Sequence, residues 1–337
     1  MTAVVTGANG HIGANLVRAL IDSGRPTRCL VHVNYQAIDG LDTEFAYGDV
    51  GDLDSLCAAF EGADVVYHLA ACISISMSNW PSLEAINVSG TRNVVEACLR
   101  NGVRRLVHFS SIHAMVQEPF SVPVDERRPL AISTRYPPYD RSKAAAENEV
   151  CCGIENGLDA VIVSPTAVVG PNDYEPSYFG EALLLMAYRK LPALVTGGFN
   201  WVDVRDVVGG AIRAEKLAPT GEKYLLSGHW VSMCDIAAMI ADITGTMPPR
   251  FTFPLWLAHV SVPFINVMSR FNGKRPLYTA ASLRALRSNR HISHEKATRE
   301  LSYHPRPFRE TIVDTLRWFQ ENGKMDELSG SRYGERA

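Results

Sequence analysis

Short apolar runs alternate with longer amphipathic stretches through the first two-thirds of the chain. "TAVVTG" predicts a strand, "HIGANLVRALIDSG" a helix stopping at Gly24, and "PTRCLVHV" a second strand. "FAYGDV", "DLDSLCAAFEG" and "ADVVYHLAA" continue as strand, helix, strand. A long helix over "SLEAINVSGTRNVVEACLRNG", stopped by Gly102, leads into the strand "VRRLVHFSS". The helix "YDRSKAAAENEVCCGIENG" and the strand "LDAVIVSPT" complete the series. Strands this apolar, separated by amphipathic helices, predict a parallel sheet covered on both faces. The fold class is therefore α/β, a doubly wound parallel sheet of the dinucleotide-binding (Rossmann) type.

Beyond Pro165 the pattern loosens, and a smaller α/β lobe is expected to close over the cofactor. Residues 1–165 form the dinucleotide-binding domain, with "NWVDVRDVVGGAIRAEK" inside 195–216 returning to its sheet as strand and helix. Residues 166–194 and 217–325 supply the substrate lobe, and 326–337 read as a mobile tail. One stretch, 253–271, "FPLWLAHVSVPFINVMSRF", approaches the length of a bilayer span. Pro263 and the polar His259, Ser261 and Asn266 argue for a lobe helix pair instead, with surface association left open.

Composition narrows the function classes. A net charge of −3 gives no reason to expect nucleic acid or an anionic membrane as partner. Seven cysteines with no C-x-x-C spacing read as reduced thiols of a cytoplasmic protein, with Cys151 and Cys152 packed at a helix end. The N-terminus runs straight into a strand, without the pattern of a signal peptide. No metal site is expected, and the partner is a small-molecule substrate.

"TGANGHIG" sets Gly7, Gly10 and Gly13 between the first strand and the first helix. A pyrophosphate needs backbone N–H groups that it can approach closely, at the positive end of a helix. Gly7 would allow the tight turn, Gly10 the approach, and Gly13 close packing of helix on strand. Asn9, His11 and Ile12 lie in the same turn and join the candidate cofactor contacts. The end of the second strand, Val31-His32-Val33-Asn34, lacks the carboxylate that would clamp a ribose 2′-hydroxyl. Arg28 or His32 could meet a 2′-phosphate, which tilts the expectation from NAD toward NADP. Asp49 in "GDVGD" is read either as an adenine contact or as a helix-capping turn residue.

Tyr139 and Lys143, four residues apart at a helix start, share one helix face. The preceding strand ends on Ser110 and Ser111, so all four border the carboxyl ends of the strands, where ligands sit in such sheets. Hydride exchange at a carbonyl–alcohol pair needs a proton donor or acceptor, something to lower its pKa, and a holder for the substrate oxygen. Tyr139 is assigned as general acid/base, Lys143 as pKa modulator and nicotinamide-ribose ligand, and Ser111 as the holder. Asn87 is read either as part of a proton relay at the cofactor or as a buried structural amide. His113, just past Ser111, is a further residue that could face the substrate.

These motifs, with "HLAA" (68–71), "NVSGT" (87–91), "HFSS" (108–111) and "SPTAVVGP" (164–171), resemble the extended short-chain dehydrogenase/reductase family. The resemblance implies Ser111, Tyr139 and Lys143 as the catalytic set. It also implies cofactor contacts near Asp49, Val50, Leu69, Ala70 and Ala71, and at Pro165, Thr166 and Val168 beyond the sixth strand. Dimerisation through helices 83–101 and 140–156 would follow by analogy. Within the family, sugar-nucleotide epimerases and dehydratases with tightly bound NAD compete with reductases of hydrophobic substrates. The latter resemble dihydroflavonol reductases and 3β-hydroxysteroid dehydrogenases. Ala167 stands where the sugar branch carries an Asn toward its ligand, and Ile112-His113-Ala114 replaces its V-Y-G turn. Trp201, Trp230, Trp256, Phe251 and Phe253 are expected to line an apolar pocket. The expected function is thus NAD(P)-dependent interconversion of a carbonyl and an alcohol on a hydrophobic or aromatic molecule. A non-catalytic dinucleotide-binding regulator is the remaining alternative, and it predicts a damaged catalytic set, which this chain does not have.

Overall fold

Every strand of the first half carries apolar side chains on both faces, and each face finds its own cover. The computed structural model describes residues 1–73, 80–191, 193–257, 283 and 286–325. Strands β1 (Thr2–Thr6), β2 (Thr27–Val31), β3 (Glu44–Tyr47), β4 (Ala63–His68), β5 (Arg105–Phe109) and β6 (Ala160–Pro165) pair in parallel. Between them run helices α1 (His11–Asp22), α2 (Leu53–Ala59), α3 (Trp80–Leu83), α4 (Gly90–Arg100) and α5 (Pro138–Glu155). Ala3, Val5, Val65, Val107 and Val161 bury one face against Leu16 and Leu20 of α1. Val4, Val66, Leu106 and Ile162 turn the other way, onto Leu56, Val94, Cys98 and Val150 of α2, α4 and α5. This period-2 alternation with both faces apolar is what a sheet between two helical layers requires.

The second half continues with β7 (Ala167–Val169), α6 (Tyr178–Ala187), β8 (Ala193–Val195), β9 (Gly198–Asp203), α7 (Val204–Leu217) and β10 (Lys223–Leu226). Then come β11 (His229–Ser232), α8 (Met233–Thr244), β12 (Phe251–Phe253), α9 (Glu295–Leu301) and α10 (Phe308–Glu321). The main sheet has seven strands in the order β10-β6-β5-β4-β1-β2-β3. β11, β9 and β7 form a second sheet, and β12 pairs with β8. A separate apolar cluster of Leu183, Met186, Trp201, Ile236, Ile240, Ile312 and Leu316 gives this lobe its own core.

Two expectations about the domain division are corrected. β9, inside 195–216, does not rejoin the main sheet; only α7 returns, burying Val207, Val208 and Ala211 on the face shared with α1. The strand that does rejoin is β10, from "GEKYLLSG", which had been placed in the lobe. Residues 297–303 of α9 and its exit also pack on that face. The reason is pairing: β6 still has a free edge after β5, and β10 follows α7 directly onto it.

The long helix expected over 82–102 is interrupted: Glu84–Ser89 is π-helical, joining α3 to α4 and carrying Asn87. Cys151 and Cys152 are exposed near the end of α5 rather than packed, and all seven cysteines are free thiols. Among the described residues no helix is long and apolar enough to cross a membrane. Residues 258–271 of the apolar stretch and the 326–337 tail lie outside the described residues.

The lobe joins the main sheet through close backbone packing at Gly228, between β10 and β11. A methyl group there would stand 2.1 Å from the Trp201 carbonyl oxygen. Gly228→Ala is therefore expected to cost about 2 kcal/mol of stability. Urea unfolding followed by circular dichroism measures it, and an unchanged midpoint would show that the junction is looser than drawn.

Candidate active site

The turn after β1 is shaped by contacts that no side chain can share. Gly7 has φ +68, and a Cβ on it would lie 2.6 Å from the Ala70 nitrogen. A Cβ on Gly13 would lie 2.2 Å from the Gly7 carbonyl oxygen. Gly10 differs: its nearest neighbour would be the Gly7 oxygen at 3.3 Å, and it faces the cavity described below. Gly10 is also the N-cap of α1, whose first turn has no side-chain cap and no acidic residue. An uncapped helix start with unspent N–H groups and room above its glycine fits a pyrophosphate.

At the end of β2, His32 meets a carboxylate from the loop after β3. Asp49 reaches His32 Nε2 at 3.1 Å and closes its own turn by accepting the Gly51 N–H. The helix cap anticipated for Asp49 belongs to Asp52, which accepts the N–H groups of Asp54 and Ser55. Arg28 cannot reach a ribose phosphate, because it is tied to the carbonyls of Ala59 and Glu61 and to Glu44. Asn9 accepts the Ala37 N–H, and Val50 packs against Gly90. Neither these two nor His32, Asp49 and Ala70 line the cavity.

The reacting centre lies where β5 and β6 end. Ser111 is nine-tenths buried and is in hydrogen-bonding contact with the Tyr139 hydroxyl. Pro137 and Pro138 start α5, which holds Tyr139 and Lys143 one turn apart over the end of β5. Lys143 Nζ is buried and donates to the Phe109 carbonyl at 2.8 Å. Burial pushes its pKa down to about 8, against the opposing pull of Glu147.

Tyr139 lines the same cavity. Burial pushes its phenol up to about 12, with Asp140 and Cys72 adding to the rise and the Ser111 hydrogen bond opposing it. Lys143 spends its charge on the Phe109 carbonyl, so the direct lowering assigned to it is not supplied by the protein alone. The phenol is therefore held as a proton donor.

Asn87 makes the contacts of a buried structural amide. Its Oδ1 accepts the Cys72 N–H at 2.7 Å, and its Nδ2 donates to Cys72 O at 3.0 Å and Ser142 Oγ at 2.9 Å. Ser142 in turn donates to the Tyr139 carbonyl at 2.8 Å, so this amide positions the start of α5 and does not line the cavity. A second buried chain supports it. Thr6 Oγ1 accepts the N–H groups of Leu69 and Ala70, leaving its own proton for His68 Nδ1 at 2.8 Å. His68 Nε2–H then donates to Thr91 Oγ1, and Thr91 to the Asn87 carbonyl. Burial, then Lys143, keeps His68 neutral, its pKa pushed down to about 3.

A cavity of about 920 Å³ joins these parts. Of the sequence-derived candidates it collects Gly7, Gly10, His11, Ile12, Gly13, Leu69, Ala71, Ser111, Tyr139, Lys143, Pro165, Thr166 and Val168. His11 also accepts no free role: its ring bonds the carbonyls of Gly170 and Pro171, stapling α1 to the loop after β7. His113 lines the cavity as well, its ring edge-on to Tyr139 and its Nδ1 3.6 Å from Asp140. Among the other lining residues, Ile73, Met115, Phe120 and Tyr136 are apolar or aromatic, while Gln117, Glu118, Asp140, Ser177 and Arg287 add polar and charged groups. The five aromatics nominated earlier are elsewhere. Trp201 is buried in the lobe core against Phe179, Arg290 covers Trp230, and Phe251, Phe253 and Trp256 are exposed.

A glycine turn at an uncapped helix start thus opens into the same cavity as Ser111, Tyr139 and Lys143. The chain's class comes from comparison with known proteins. The model of the NAD dependent epimerase/dehydratase family matches residues 3–226, and the chain belongs to that family, within the extended short-chain dehydrogenases/reductases. Sterol demethylase protein B of Methylococcus capsulatus is 36% identical over 329 residues, covering 96% of this chain and all of that one. A Synechocystis protein named for dihydroflavonol 4-reductase is 31% identical, over 95% of this chain and 94% of its own. The crystal structure of gox2253 superposes with a TM-score of 0.84 at 34% identity, covering 96% and 99% of the two chains. The protein is an NAD(P)-dependent oxidoreductase of the short-chain dehydrogenase/reductase type.

The two kinds of glycine separate experimentally. Gly10→Val is expected to keep the fold and weaken cofactor binding at least tenfold, because its side chain takes the pyrophosphate's space. Gly13→Val should lose stability as well. Cofactor fluorescence titration beside thermal melting reads both, and unchanged affinity in Gly10→Val would remove that residue from the cradle.

Proposed function

We propose that the protein interconverts a carbonyl and an alcohol on an apolar molecule, with Tyr139 as the proton donor and acceptor. The observation that carries this reading is the Ser111–Tyr139 contact inside a cavity walled by Ile73, Met115, Phe120 and Tyr136. A bound nicotinamide supplies or accepts the hydride. Ser111 orients the substrate oxygen, and Tyr139, with its pKa high, gives that oxygen a proton as the alcohol forms. Lys143, held by the Phe109 carbonyl, stands ready for the nicotinamide ribose. In the reverse direction Tyr139 would act as the base, its phenolate favoured if a positive charge entered the cavity beside it.

Ala167 lines the cavity where a sugar-nucleotide enzyme of this family would carry an amide, and a methyl group offers a diphosphate nothing. The names of two relatives, one for a sterol and one for a flavonol, support a polycyclic apolar substrate class. At the adenosine end β2 finishes without a carboxylate of its own, and His32 there is 70% exposed beside Asp49. NADP is therefore favoured over NAD by a small margin.

Oxidation of NADPH or NADH in the presence of hydrophobic and aromatic ketones tests the reaction class and ranks the nucleotides. Absence of turnover on every ketone, with NAD retained through purification, would support internal redox on a sugar nucleotide instead. Tyr139→Phe is expected to bind cofactor as the parent does and to lose at least ~10²-fold in kcat. Parental turnover in that variant would remove Tyr139 from the chemistry.

A further inference from the structure

One turn beyond Lys143, on the same face of α5, lies a second buried charge that the reaction scheme does not use. Glu147 is 1% exposed. One of its oxygens accepts the Ser110 hydroxyl at 2.5 Å, and the other pairs with Lys223 on β10. The carboxylate thus ties together three elements at the floor of the site: α5, the end of β5 beside Ser111, and the edge strand. We infer that Glu147 is a positioning residue whose buried carboxylate keeps the Lys143 ammonium charged and anchors the Ser110–Ser111 strand end.

The electrostatics of the surrounding elements make such a counter-charge necessary. Lys143 is enclosed, and among the described residues its hydrogen bond is to a neutral carbonyl. From β4 and β5 it faces His68 and His108, both buried and kept neutral. Neither ring supplies negative charge. From its own helix it faces the protonated Tyr139, and from β10 a second cation, Lys223, stands across Glu147. Cys151, one turn further along α5, is a thiol whose pKa is raised, so it is uncharged at neutral pH. Asn87 and Ser142 are neutral. Glu147 is the anion of this buried group, and residues at i and i+4 on a helix lie about 5–6 Å apart at Cβ. A buried ammonium without a nearby anion sheds its proton.

Lys223 should then work against Lys143, since both cations draw on one carboxylate. This gives the inference a signature that ordinary loosening of the structure would not produce. Removing the carboxylate in Glu147→Gln lowers the Lys143 pKa further. The alkaline limb of kcat/KM should move to lower pH by about one unit. Removing the competing cation in Lys223→Met leaves the carboxylate to Lys143, and the limb should move to higher pH.

The inference rests on the proposed role of Lys143, so the experiment reads Lys143 directly as well. Lysine labelled with ¹³C at Cε, with the Lys143 resonance assigned by its loss in Lys143→Arg, reports its titration without substrate or turnover. The expected result is a midpoint displaced downward in Glu147→Gln and upward in Lys223→Met. Equal midpoints in all three proteins, or displacements of one sign in both variants, would overturn the inference, and Lys223→Met decides if Glu147→Gln fails to fold. Undiminished turnover in Lys143→Met would instead overturn the proposed role of Lys143, whatever the titration shows.

Discussion

A buried ammonium is the feature to which the rest of the site answers. Lys143 lies under the cavity at the end of β5, and there it is cut off from water. Its hydrogen bond to the Phe109 carbonyl fixes α5 over the end of β5, and with it the approach of Tyr139 to Ser111. Of the neighbouring groups, the two buried histidines are kept neutral. His68 accepts from Thr6 and donates to Thr91, an order that holds the ring neutral in one tautomer. The same threonine takes the backbone N–H groups of Leu69 and Ala70, which places Ala70 against Gly7. The floor of the catalytic end and the wall of the glycine turn are thus one hydrogen-bonded structure.

What was legible in the sequence was local. Tyr139 and Lys143 stand out because one helical turn makes a spacing of four into a shared face. The strands stand out because a sheet covered on both sides leaves an apolar signature at every position. The need for glycine at Gly7 and Gly13 is legible because it depends on nearby backbone.

What was not legible depended on distant pairing. "NWVDV" and "KYLLS" look alike as strands, and only the free edge of β6 decides which one joins the main sheet. Asp49 and Asp52 sit in one acidic turn, and helix geometry alone assigns the cap to Asp52. The aromatics of the lobe were misplaced because aromatic residues fill cores as readily as pockets, as Trp201 does between Phe179 and Phe199. The true pocket residues Met115, Phe120 and Tyr136 come from a segment without periodicity, between β5 and α5, so no pattern announced them.

The pKa of Tyr139 joins these observations to the chemistry. A phenol in water already holds its proton at neutral pH, and burial here strengthens that hold. In the reductive direction this costs nothing, since the group must begin protonated and lose its proton only as the substrate oxygen gains charge. In the oxidative direction the same burial works against the reaction until a positive charge enters the cavity. Burial removes the screening that would weaken such a charge, so its effect on Tyr139 is larger there than at a surface. The enclosure that raises the pKa is therefore also what makes it responsive. A site built this way would link the protonation of Tyr139, as the proposed acid/base, to the presence of an oxidised nicotinamide beside it.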